Sequence, residues 1–234
     1  MIPLLTPNKP VRAEGTMSER LLSVTGGTVS ISGRIIFSDA HLSVAPGEMI
    51  ALTGASGSGK TTLLNCLGTL ADFSAGEYSF QGTMLSGSSS RTRRHFRRDS
   101  LGYLFQNYAL VEGESVEKNV LGPLAVMPRS QRPSRKELES VLKRVGLANR
   151  EKSLIYQLSG GEQQRVALAG LMLKQPSLIL ADEPTGALDA ENEAQVLDIL
   201  RELVNAGACA IIATHSDAVA DFCDRRIDMS QFKG

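Results

Sequence analysis

The sequence predicts an α/β fold: a parallel sheet carrying a phosphate-binding glycine loop, with an antiparallel β subdomain before it and an inserted helical subdomain. Three observations lead there. The apolar runs "MIALTG" (49–54), "SLILAD" (177–182) and "ACAIIAT" (208–214) alternate with stretches of helical spacing, and such alternation builds a parallel sheet covered on both faces. "GASGSGKT" (54–61) joins the first of those runs to the helical "KTTLLNCLGTL" (60–70), which is the strand, loop and helix order that a phosphate loop requires. From about 107 to 157 the pattern turns helical without an apolar strand.

The elements follow in order. Residues 1–18 hold Pro3, Pro7 and Pro10 with little apolar periodicity, and Met17 is an alternative start, so they read as a flexible tail before a unit spanning 19–234. The β-prone runs "RLLSVTGGTVSISG" and "IIFSDAHLSV" precede the turn "APGE" and the strand that feeds the glycine loop. "GEYSFQGTML" supplies one or two more strands, and "SGSSSRTRRHFRR" reads as a solvated loop and helix face. In "SRKELESVLKRVGL", Ser134 and Glu137 have capping-box spacing. Helices at 160–174 and 190–205 and one from Asp217 complete the alternation, and the helical subdomain is placed at about 107–170.

Composition narrows the partners. Lys+Arg and Asp+Glu balance at 25 each, so no global field favours nucleic acid or an anionic membrane. No run reaches the ~18–20 apolar residues needed to span a bilayer, and the first residues are too weakly apolar for a signal peptide, which points to a cytoplasmic chain. Cys66, Cys209 and Cys223 lack metal-site spacing and read as reduced thiols.

The chemistry starts in the loop. In Gly54, Ala55, Ser56, Gly57, Ser58, Gly59, Lys60, Thr61 and Thr62 the glycines let backbone N–H groups turn towards phosphate oxygens at a helix N-terminus. Lys60 then reaches the β- and γ-phosphates, and the Thr61 hydroxyl suits Mg²⁺. "SLILADEPTGALD" ends an apolar strand in Asp182, placed to hold Mg²⁺, followed at once by Glu183, placed to act on the water that attacks the γ-phosphate. Gln106, after "LGYLF", offers an amide to the metal or the water. His215, after "ACAIIAT", can orient Glu183 or bond the γ-phosphate.

One motif is then left over. "LSGGEQQR" (158–165) opens another helix with a serine and two glycines, a second anion-binding end in a chain whose own nucleotide is already held. Two chains packed head to tail resolve this, because each "SGGEQ" then closes over the other chain's ATP. Binding closes such a pair and hydrolysis opens it.

With "GASGSGKT", "LSGGEQQR" and "LILADEPTGALD" in that order, the chain from about 20 to 229 resembles the nucleotide-binding subunit of ABC transporters, a P-loop NTPase fold. The resemblance implies that Ser159, Gly160 and Gly161 contact the opposing ATP, that Gln106 is the Q-loop residue, Asp189 the D-loop residue and His215 the switch histidine. It also implies a second copy of the chain, an integral membrane permease as partner and a place on the inner face of the membrane. "ADEPTGALD" and "LGYLFQNYALVEGESVEKNV" are most similar to the MacB-like group, which includes lipoprotein-releasing transporters, and within it to ATPases of bacteriocin exporters. The alternative, a soluble ABC ATPase acting on DNA or ribosomes, would carry two nucleotide domains or long coiled coils. A docking groove for a permease helix is expected around Gln106 to Asn119, with Tyr108, Leu110 and Val111 in it.

Two positions depart from the family pattern. Ile31 stands where an aromatic residue usually stacks on adenine, a contact worth about 1–3 kcal/mol. Gly170 stands inside a helix where arginine is common, at a cost of about 1 kcal/mol relative to alanine.

Overall fold

The computed structural model describes residues 20–186 and 190–232. The tail expected at 1–18 lies outside the described residues, as does Asp189.

The first sheet is antiparallel. Strands β1 (Leu22–Ile31) and β2 (Arg34–Val44) form a hairpin whose two-residue turn, Ser32 and Gly33, has φ of 51° and 79°, the left-handed pair that matches the twist of the flanking strands. Strands β4 (Ala75–Phe80) and β5 (Thr83–Met84) extend it to the order β2-β1-β4-β5.

The second sheet is wholly parallel. It contains β3 (Met49–Thr53), β6 (Leu101–Leu104), β7 (Leu178–Asp182), β8 (Cys209–Ala213) and β9 (Arg225–Asp228), in the order β6-β7-β8-β3-β9. Alternate residues of its central strands enter two different cores. Ile50, Leu52, Leu178, Leu180, Ile211 and Ala213 pack with helix α1 (Lys60–Leu67) and the antiparallel sheet. Met49, Ile179, Ala181, Ala210 and Ile212 pack with α5 (Gly160–Lys174) and α6 (Ala190–Asn205) on the other face. Burial on both faces is why these strands read as unbroken apolar runs.

Between β5 and β6 lies α2 (Ser90–Asp99), which buries Phe96 and ties Arg97 to the carbonyl and hydroxyl of Thr69 while Arg91 and Arg94 stay exposed. The insert after β6 is less helical than its sequence pattern. It holds α3 (Val116–Leu121), α4 (Arg135–Arg144) and three single 3₁₀ turns before α5. Pro123, Pro128 and Pro133 stand in the intervening segment, where each removes a backbone donor and fixes φ. Ser134 and Glu137 do close a capping box on α4.

Helix α5 sets the insert against the sheet at close range. A Cβ on Gly102 of β6 would stand 2.2 Å from Leu171 Cδ1 and 2.6 Å from Pro176 Cγ, so only glycine permits this approach. Helix α7 (Asp217–Phe222) precedes β9, and a final 3₁₀ turn, Met229–Phe232, packs Met229 and Phe232 into the first core. All three cysteines are free, and burial pushes the Cys66 and Cys209 thiols up to about 12 and Cys223 to about 11, away from thiolate chemistry. No helix among the described residues is long and apolar enough to cross a membrane.

Candidate active site

Because the five core strands are parallel, their carboxyl ends share one edge, and the register places the motifs along it. Leu52 of β3 is level with Ala213 of β8, Ala213 with Asp182 of β7, and Ala181 with Leu104 of β6. The glycine loop, Asp182–Glu183, Thr214–His215 and Gln106 therefore follow one another outside the same edge, which is where open α/β sheets bind ligands.

In the loop, Gly54, Gly57 and Gly59 take φ of 138°, 74° and 100°. Space is as restrictive as conformation, since a Cβ on Gly54 would lie 2.9 Å from Ser58 Oγ and one on Gly59 3.0 Å from Ile36 Cγ2. Gly59 caps α1 without a side-chain bond, and the first turn of α1 carries no acidic residue, so the helix presents bare N–H groups and positive potential to the loop. Ala55 and Ser56 are exposed, as is Thr61, while Thr62 is half-buried. Lys60 Nζ donates to the carbonyls of Gly54 (2.7 Å) and Ala55 (3.2 Å). The Ser58 hydroxyl is buried and has no hydrogen-bond partner among the described residues.

Asp182 ends β7 in a buried position, beside the Thr61 side chain and Lys60. Burial raises its pKa above the ordinary aspartate value, Glu183's charge adds to the rise, and Thr61 and Lys60 oppose it. Glu183 has φ of 48°, a left-handed conformation that costs a residue with a Cβ. Its N–H is held by the carbonyl of Ala213 at 2.9 Å. Its carboxylate Oε2 lies 2.9 Å from His215 Nδ1, and the His215 N–H faces the same oxygen at 3.4 Å. The Glu183 side chain is 16% exposed and that of His215 is 71% exposed, so a sheltered carboxylate is joined to an imidazole open to the surface.

Gln106 is exposed, two residues beyond β6. Its approach is fixed by Tyr103, which stacks on Phe105 with ring centroids 4.0 Å apart and donates its hydroxyl to Asn65 Oδ1 on α1 at 3.1 Å. Tyr108 and Ala109 follow with φ of 59° and 51°. Val111 is exposed, and Tyr108 and Leu110 are half-buried.

Ser159 caps α5 in a reciprocal box: its hydroxyl accepts from Glu162 N–H at 3.3 Å, and Glu162 Oε2 accepts from Ser159 N–H at 2.8 Å. Backbone bonding to Ser159 is the main reason that the Glu162 pKa is lowered. Ser159 and Gly160 are exposed and Gly161 half-exposed. Among the described residues no hydrogen bond links Ser159, Gly160 or Gly161 to the glycine loop of the same chain.

Two residues of the site were not singled out from the sequence. Gln164 Nε2 donates to the Pro184 carbonyl, and Arg165 Nη1 donates to Asn192 Oδ1 at 2.8 Å. "EQQR" reads as a polar helix start, but Gln164, Leu168 and Leu171 fall at i, i+4 and i+7, the spacing of one buried helix face. That spacing was the available signal.

Known proteins place this architecture. Residues 37–186 match the model of the ABC transporter family. The Macrolide export ATP-binding/permease protein MacB of Agrobacterium fabrum (strain C58) is 40% identical over 195 residues, which are 83% of this chain and 30% of that protein. YtrE, an ABC transporter ATP-binding protein of Bacillus subtilis (strain 168), is 40% identical over 186 residues, 79% of this chain and 80% of YtrE. The chain thus spans about a third of the MacB and PvdT relatives it matches and most of YtrE. Among solved structures, the dimeric bacterial ABC transporter cassette MJ0796 superimposes with a TM-score of 0.79 at 31% identity, covering 88% of this chain and 93% of that one. The same cassette is also solved as a dimer in a post-hydrolysis state bound to ADP and Pi, with the same score and coverage. By fold, by the order of motifs along one sheet edge and by these matches, the chain belongs to the ABC transporter family.

Proposed function

We propose that the chain is the ATP-binding and ATP-hydrolysing motor subunit of a bacterial ABC transporter of the MacB-like group, driving a membrane permease. The observation that carries this is the edge on which Glu183, paired with His215, follows Asp182, which stands beside Thr61 and Lys60 of the glycine loop.

In this reading residues 54–62 cradle the triphosphate, with Lys60 at the loop mouth available to phosphate oxygens and the unpartnered Ser58 hydroxyl a further donor inside the cradle. Thr61, Asp182 and Gln106 would hold Mg²⁺, and the hard oxygen donors of the first two, which stand beside each other, suit that ion. When bound, Mg²⁺ would neutralise charge on the phosphates. Glu183 takes the proton of the attacking water, and His215 holds its carboxylate in place. Ser159, Gly160 and Gly161 serve the nucleotide of a second copy in a head-to-tail pair, and Asp189, outside the described residues, keeps the D-loop role that the family resemblance implies. The exposure of Ser159 and Gly160 and the freedom of all three from the loop of their own chain support this reading.

Residues 107–170, with α3, α4 and the start of α5, act as the helical subdomain, and the exposed turn after Gln106 receives the permease. The subunit then sits peripherally on the inner face of the membrane, in peptide or bacteriocin export or a related process. The reading is tested by a detergent pull-down of tagged Glu183→Gln protein from its native cells with ATP, identifying membrane partners by mass spectrometry. A permease with few spans and a large extracytoplasmic domain is expected. Recovery of ribosomes, DNA or soluble partners alone overturns it.

A further inference from the structure

Consecutive residues of α5 hold both ends of one segment. Gln164, 2% exposed, donates to the carbonyl of Pro184, immediately after Glu183. Arg165 donates to Asn192 on α6. Between these grips runs the stretch that contains Asp189. Five residues before Gln164, on the same helix and its cap, stands Ser159.

A short helix moves as a rod, so displacement of its Ser159 end is delivered to the Pro184 carbonyl. That carbonyl belongs to a turn already under constraint: Glu183 is at φ of 48°, its N–H is held by Ala213, and the Gly186 N–H returns to its carbonyl at 3.2 Å. Thr185 is buried in the same turn. A carboxylate on such a turn responds to small shifts of its neighbour, because the left-handed conformation persists only while surrounding contacts enforce it. Among the described residues, the Gln164 Oε1 and the Arg165 Nε are buried without a partner, so the donor groups in these two grips are the polar contacts the two side chains show.

We infer that Gln164 is a positioning residue that couples the two nucleotide sites of a closed pair. Engagement of one chain's Ser159–Gly161 by its partner's nucleotide is passed through Gln164 to Glu183 of the same chain, which serves the other nucleotide. This rests on the head-to-tail reading above.

The test is an ATP titration of turnover by the purified full chain and by Gln164→Leu, which keeps the volume and removes the donor, with ATP-driven pairing followed in the Glu183→Gln background. The expected result is unchanged nucleotide affinity of the single chain and intact pairing, a fall of about tenfold in kcat and a Hill coefficient that drops from above one to one. Failure of Glu183→Gln protein to pair with ATP removes the head-to-tail reading itself. Pairing with parent-like cooperativity in Gln164→Leu, lost kcat with the Hill coefficient unchanged, or non-cooperative turnover by the parent overturns the coupling alone. Should Gln164→Leu not fold, Gln164→Glu decides the same point: its carboxylic acid regains a donor as pH falls, so cooperativity should return at lower pH relative to the parent profile, and a flat response overturns the inference.

Discussion

The Glu183 carboxylate and the His215 imidazole meet at 2.9 Å across the ends of two neighbouring strands, β7 and β8, and the His215 N–H points at the same oxygen. One residue thus orients the carboxylate twice, through its ring and through its backbone. Glu183→Gln removes the proton acceptor but preserves shape, so ATP binding and pairing should persist while kcat falls by about 10²–10⁴. His215→Ala leaves the backbone contact in place and should cost less. Single-turnover hydrolysis with a parallel binding measurement checks both, and full turnover by Glu183→Gln removes Glu183 as the base.

Ser159 and Gly160 are exposed at the start of α5. A bulky cation there should spare nucleotide binding by the single chain and block closure of the pair. For Ser159→Arg, size-exclusion chromatography in the Glu183→Gln background should show monomer with ATP. A normal ATP-driven dimer would refute the role of this helix start.

Asp182 carries an electrostatic cost that a neutral amide of the same shape would not. With its pKa raised, the buried carboxylate is destabilising above that raised value, and the cost vanishes as pH falls through it to the ordinary aspartate range. Asp182→Asn should therefore raise the nucleotide-free Tm at neutral pH and lose hydrolysis. The difference in Tm from the parent should shrink on acidification. A gain that grows at acid pH would contradict this assignment of the cost.

Ile31 is 55% exposed at the end of β1, opposite Arg34. If this is where the base lies, Ile31→Tyr adds a stacking surface worth about 1–3 kcal/mol, and ATP affinity should rise about fivefold to a hundredfold. Equilibrium titration with a fluorescent ATP analogue decides it, and unchanged affinity moves the base elsewhere.

Gly170 lies within α5, and the nearest atom to an added Cβ is the Val120 carbonyl at 4.0 Å, ordinary contact distance. Gly170→Ala should stabilise the chain by about 1 kcal/mol, read as a rise in Tm with turnover unchanged. A lower Tm would mean that α3 packs closer to α5 than this spacing allows.

What could be read from the sequence follows from which side chains announce their surroundings. Strands β3, β7 and β8 are buried on both faces and were legible as apolar runs, and the bounds of α5 and α6 follow from "SGGEQ" and from periodicity. Strand β9 is "RRID", with Arg225 and Arg226 exposed at the sheet edge. Its pairing with β3 depends on backbone hydrogen bonds that side-chain pattern does not encode. The insert misled for the opposite reason, since helical spacing survives in segments that proline prevents from being helical. Within the site, the glycine loop and the acidic strand end were visible as motifs. The grip of Gln164 on Pro184 was not, because it joins a side chain to a backbone group 20 residues away.

Strand β9 also sets a timetable. Thr53 Oγ1 bonds the Ile227 carbonyl across 174 residues of chain, and Met229 lies against both Gly54 and Gly59. Every signature motif precedes residue 216, yet one wall of the phosphate cradle emerges from the ribosome about 10–35 s after the cradle itself at ordinary elongation rates. Only over the last 14 residues of that interval, from His215 to Met229 and about 1–3 s at those rates, does a nascent chain carry every motif without the support beside the loop. The loop thus takes its final packing only when the last strand and the turn after it have been made.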